Sequence, residues 1–257
     1  MKAWSSRSST FRQGCCHLLA AALGLLSFCA VGQEALSELD DAAARVQYAF
    51  YTDDIRALEE ALDALESMEA SRIPGLKAYF QAYGAWKLAQ LYADAEVSGR
   101  SSSGKAGRAA QECQKRAKAA IAEDARMVEA YALQAICGSK PRGGDCSTRP
   151  LRSALEMEPQ NPRVRLIELL CVSDKDRSSP ATLQKARALD AAFEKAPPSR
   201  PGKPDWGHAE ALAVLAELYL ERGDQVAARD SIERALVISP DYRKAQQLLQ
   251  AAAARPR

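Results

Sequence analysis

The sequence has little histidine and no charge surplus, and beyond its N-terminal end it lacks any apolar run long enough to cross a bilayer. Only two histidines occur in 257 residues. His17 lies in the N-terminal segment, so His208 alone remains for chemistry that needs an imidazole. The formal net charge is +2, and three of the 35 basic residues (Lys2, Arg7, Arg12) precede residue 33. That leaves 32 basic residues against 33 acidic ones, with no positive excess to neutralise a phosphate backbone. A general nucleic-acid binder is therefore excluded. Aromatic residues make up 6% and apolar residues 47%, as in an ordinary globular chain. No HExxH or CxxC occurs, and the GxxxxGK at Gly99 to Lys105 is followed by Ala106 where a phosphate loop needs a Ser or Thr hydroxyl. Neither a metal nor a cofactor site is expected.

What is present begins at the N-terminus. A basic, Ser-containing stretch runs to about His17, followed by the apolar segment Leu18 to Val31, the small residue Gly32 and the polar pair Gln33-Glu34. Charged, apolar and small regions in this order predict a secretory signal peptide over 1–32, cleaved after Gly32 with Ala30 and Gly32 in the selective places. The apolar segment falls short of the roughly 20 residues of a membrane-spanning helix. Leu26-Ser27-Phe28-Cys29 also places a cysteine three residues after a leucine, so lipidation at Cys29 stands as an alternative, although Phe28 occupies a place that favours a small residue. Membrane contact is expected only through the signal peptide or such a lipid anchor. The mature chain is expected to be exported, with the periplasm as its compartment and a secreted form or an outer-membrane lipoprotein as the alternatives.

Removing residues 1–32 leaves four of the seven cysteines: Cys113, Cys137, Cys146 and Cys171. An even number in an exported chain points to disulfides, and four cysteines allow three pairings. Cys137 and Cys146 flank the polar segment Gly138 to Asp145, which can fold back as a closed loop, so this pair is the expected one. Buried free thiols are the alternative.

From residue 33 the dominant pattern is helical, with Ala and Leu recurring three or four residues apart and no run of alternating β-branched residues. The most regular stretch lies near the C-terminus. Ala209 to Tyr219 forms one amphipathic segment, Glu221 to Asp224 breaks it, Val226 to Val237 forms a second, and Ser239-Pro240-Asp241 ends that. Gly223 can close a helix in the left-handed conformation, and Pro240 cannot extend one. Here Leu215, Ala216, Tyr219, Gly223, Ala228, Ile232, Ala235 and Pro240 fall at the relative positions of the tetratricopeptide (TPR) repeat, a helix-turn-helix unit of about 34 residues. The stretch 209–242 resembles that family most clearly, with Leu212 and Ala216 replacing the usual Trp and Gly. Upstream, Ala120 to Ala125 and Ala154 to Pro159 begin 34 residues apart and repeat the pattern of Ala235 to Pro240. Further matches lie at Ala192 to Pro197, at Tyr48 to Ala64, and at Trp86, Leu88, Ala89 and Tyr92. The resemblance implies an all-α fold: a right-handed superhelical α-solenoid of about five helix pairs over 33–257, with 243–254 as a capping helix. Polar loop 97–105 and the Pro-rich segment 196–207 read as insertions between helices.

TPR arrays bind a peptide or protein in the groove lined by the first helix of each pair, and this is the partner class that the resemblance implies. In the clearest repeat the groove positions are Glu210, Ala213, Glu217 and Glu221. Three of them would form an acidic face suited to a basic partner, or a merely solvated face. Tyr79, Tyr83 and Trp86 form a second stripe, either a recognition surface or core. Asp40-Asp41 and Asp53-Asp54 occupy a helix start and a turn, where capping explains them. The reading is a non-enzymatic, protein-binding scaffold of the bacterial cell envelope, with a lipid-anchored subunit of a secretion, pilus or envelope-assembly machine as the alternative.

Overall fold

A computed structural model describes residues 38–69, 73–100, 104–139, 146–197, 200 and 202–254. The expected signal segment and its expected cleavage site, Cys29 and most of the loop between Cys137 and Cys146 lie outside the described residues. Helices account for 77% of those described, and no strand occurs among them. In chain order they are α1 (38–51), α2 (Ile55–Ser67), α3 (Leu76–Val97), α4 (Lys105–Glu123), α5 (Val128–Ile136), α6 (Thr148–Met157), α7 (Pro162–Leu170), α8 (Asp174–Arg177), α9 (Pro180–Lys195), α10 (His208–Glu221), α11 (Gln225–Ile238) and α12 (Arg243–Ala254).

Local sequence sets the helix ends. Asp54, Asn161, Ser179 and Asp224 stand immediately before α2, α7, α9 and α11, and each side chain accepts a backbone N–H of the first turn. Such a cap satisfies a donor that the helix itself leaves unpaired, and losing one costs about 1 kcal/mol. Pro162 and Pro180 follow two of the caps, where the missing proline N–H is not needed. Gly223, at φ 76°, turns the chain between α10 and α11.

These ends produce five successive pairs, α1–α2, α3–α4, α5–α6, α7–α9 and α10–α11, with the short α8 in the fourth turn and α12 capping the fifth pair. Each helix from α2 onward packs on its neighbour in the series, α8 aside, and the first helices α3, α5 and α7 also stack on one another. The molecule is an α-solenoid. Small residues permit the close approach: Ala216, Ala228 and Ala235 are fully buried, with Leu212 and Ile232 filling the space beside them. Helix α3 is buried on nearly every side, which is how a helix carrying apolar residues all round must sit.

Two disulfides staple the middle of the stack. Cys113 of α4 pairs with Cys137 at the end of α5, with Cα atoms 5.8 Å apart, and Cys146 ahead of α6 pairs with Cys171 at the end of α7, at 5.5 Å. The expected Cys137–Cys146 bridge is therefore incorrect. Short sequence separation favoured it, but helix packing decides which cysteines are neighbours, so each bond ties one pair to the next. No helix among the described residues is long and apolar enough to cross a membrane.

Candidate functional site

The first helices of the N-terminal pairs meet α10 through long polar and aromatic side chains. Lys87 lies in the middle of α3, only 1% exposed, with its Nζ 3.1 Å from Oε1 of Glu210 on α10. Tyr51, the last residue of α1, donates its hydroxyl to Oε2 of the same carboxylate at 2.7 Å, and Gln47 Nε2 donates to the Tyr51 oxygen at 2.9 Å. The ammonium also sits 3.9 Å from the ring centre of Trp86 and 4.1 Å from that of Phe50. An ammonium moved from water to the interior alone would cost several kcal/mol. Here a carboxylate and two ring faces offset that cost. Burial pushes the Lys87 ammonium below its ordinary range, and Glu210 acts in the opposite direction. Burial and the neighbouring Glu210 both push the Tyr51 phenol well above its ordinary value.

Trp206, just ahead of α10, completes the junction. Its indole N–H donates to the Tyr79 hydroxyl at 2.6 Å, and its ring stacks on Tyr83 with centroids 4.9 Å apart. Trp86 meets it edge-on at 5.7 Å, and Tyr242 at the start of the cap lies 4.6 Å from Tyr51. The stripe Tyr79, Tyr83 and Trp86 is thus buried core, occupied by a tryptophan of the same chain, and does not form a recognition surface. The Trp206 indole covers the stripe from just ahead of α10.

The acidic face is corrected in the same way. Glu210 and Ala213 are buried, so neither lines an accessible groove. Glu217 remains partly exposed, but Arg177 and Lys244 each hold it at 2.6 Å. Glu221 accepts from Ser178 at 3.0 Å and faces Arg177 at 3.4 Å. Spacing on one helical face grouped these glutamates, and their neighbours from other helices neutralise the group.

A second network joins α9, α10 and α11. Arg234 donates both terminal nitrogens to Asp190 at 2.7 and 2.8 Å, His208 Nε2 lies 3.0 Å from the same carboxylate, and Phe193 stacks on the imidazole. Burial pushes the Asp190 carboxyl up, but the hydrogen bonds from His208 and Arg234 outweigh it and hold the group below the usual carboxylate range. This places His208 in a structural tie at the helix start. No group of three or more metal-ligating side chains occurs among the described residues.

Sequence reasoning missed Lys87, Tyr51, Trp206 and the Asp190–Arg234 pair. One signal was available, a single lysine between Trp86 and Leu88 in an otherwise apolar helix centre. A cleft of about 330 Å³ lies between α1, α3 and residues 200, 203, 205 and 206.

No family model and no curated protein matches the sequence. Among solved structures the chain is similar to the assembly chaperone of RpL4 (Acl4), residues 1–338, with 13% identity, 85% of this chain and 95% of that chain covered, and a TM-score of 0.36.

Proposed function

We propose that the protein is an exported helical-repeat scaffold of TPR type that holds a partner protein in the bacterial cell envelope. The observation that carries this reading is the pair of disulfides spanning an all-helical stack. Disulfides persist in oxidising compartments such as the periplasm, and they agree with the charged, apolar and small order of residues 1–32. A solenoid presents extended surface without needing reactive groups, and the Lys87, Glu210 and Asp190 charges are engaged in holding helices together. On this reading the protein works by burying a segment of its partner, with no covalent step and no cofactor.

Crosslinking in intact cells followed by identification of the attached peptides tests it. The reading expects one recurring protein partner located outside the cytoplasm; a cytoplasmic partner, or none at all, contradicts it. The Leu26-to-Cys29 spacing favours a second form, a lipoprotein held at the outer membrane through Cys29. Mass spectrometry of the mature N-terminus separates the two, since Gln33 as first residue excludes the anchor and an acylated Cys29 requires it.

A further inference from the structure

We propose that the Cys146–Cys171 disulfide is a redox-sensitive latch on α6, opened in the folded protein by a dithiol reductant, whereas Cys113–Cys137 is a permanent staple. Exposure separates the two bonds. Cys113 and Cys137 are 0% and 5% exposed, and they lie where the buried side of α4, Ala109, Ala117 and Ala120, meets an α5 that is itself mostly buried. Cys146 and Cys171 are both partly exposed, one just ahead of α6 and the other at the end of α7. Thiol–disulfide exchange needs an external thiolate to reach a sulfur, so a bond walled in by packed helices reacts only when those helices part. In the step itself the reductant's thiolate bonds to one sulfur of the pair and the other leaves as a cysteine thiolate. The reductant's second thiolate then displaces the remaining cysteine, leaving two protein thiols and an oxidised dithiol.

What the accessible bond holds is weakly fixed by anything else. Ser147 precedes α6 without a side-chain cap, the first turn has no acidic residue, and Arg149 adds positive charge at the end of the helix where the backbone dipole is already positive. Ala154, in the second half, is the one buried residue of α6, with Leu151 and Leu155 only partly buried against the core. Beyond the disulfide, the entry to α6 is tied by the Ser147 backbone N–H, which donates to the Ala135 carbonyl at 3.3 Å. Opening Cys146–Cys171 therefore releases the start of α6 from α7 while α3, α4 and α5 keep their packing, and the third helix pair acquires a second, looser form.

Graded dithiothreitol treatment of the intact, oxidised protein tests this, with alkylation at intervals and peptide mapping. Cys146 and Cys171 are expected to become alkylated about tenfold faster than Cys113 and Cys137, through a folded species that retains the Cys113–Cys137 bond. Hydrogen exchange of that species should show protection lost over 147–157 and kept in α3, α4 and α5. The Cys146→Ser/Cys171→Ser variant should reproduce the same exchange pattern without any alkyl group. Equal reduction rates, or earlier loss of Cys113–Cys137, overturn the assignment. Selective reduction that leaves α6 exchange unchanged shows an accessible bond that latches nothing, and a serine variant that does not fold shows a bond the whole fold requires; either result overturns the latch.

Discussion

Lys87 and Glu210 meet 3.1 Å apart inside the molecule, although one belongs to the second helix pair and the other to the fifth. Their contact converts a row of helix pairs into a body whose two ends are fastened. Each partner makes the burial of the other tolerable, which gives the pair a measurable signature.

Replacing Lys87 by Met, or Glu210 by Gln, leaves a buried charge without its counterion. Each single change is expected to lower stability by about 3–5 kcal/mol. The double variant Lys87→Met/Glu210→Gln removes both charges, keeps an acceptor for the Tyr51 hydroxyl, and is expected to recover most of that loss. Urea denaturation of the four proteins completes the cycle. Simple additivity would mean that the two side chains do not interact.

Alkaline pH tests the aromatic junction. Burial pushes the phenols of Tyr51, Tyr79, Tyr83 and Tyr242 above their ordinary value of 10.0. Above that pH the unfolded chain loses protons that the folded chain retains, so stability falls as pH rises from about 10. Lys87 has the opposite sign: its folded value is lowered from 10.5, so its contribution makes stability rise with pH up to about that point. Phenolate absorbance should therefore show these four tyrosines ionising together with unfolding, and Lys87→Met should remove the rise but keep the fall.

The two disulfides predict their own map. Non-reducing peptide mapping should find Cys113 linked to Cys137 and Cys146 linked to Cys171. Each closes a loop with a sequence separation of 24 or 25 residues. Replacing either pair by Ala should then cost about 3 kcal/mol. A peptide joining Cys137 to Cys146 would contradict the packing of α4 on α5.

Much of this architecture is legible in the sequence because helix ends are local. Pro240, Gly223 and the Asp224 cap can be read within a few residues of where they act, and the Ala positions repeat with the helix pairs. The site is not local. Tyr51 and Glu210 are separated by 159 positions, and nothing near either residue indicates the other. Glu210 and Glu217 look alike as charges on one face, yet one is buried against Lys87 and the other lies between Arg177 and Lys244. Cys137 shows the same limit, since the nearest cysteine in sequence is not the one that the helices bring beside it.

The central claim is that the chain's own side chains, not a partner, fill the junction between its first and last helix pairs. Tryptophan fluorescence of the chain from Gln33 onward tests it most directly, because only Trp86 and Trp206 then emit. Both are 4% exposed. The expected result is a blue-shifted emission that acrylamide barely quenches and that shifts to the red only on unfolding. Red-shifted, readily quenched emission from the folded, oxidised protein would mean that the junction is open, and would contradict the account.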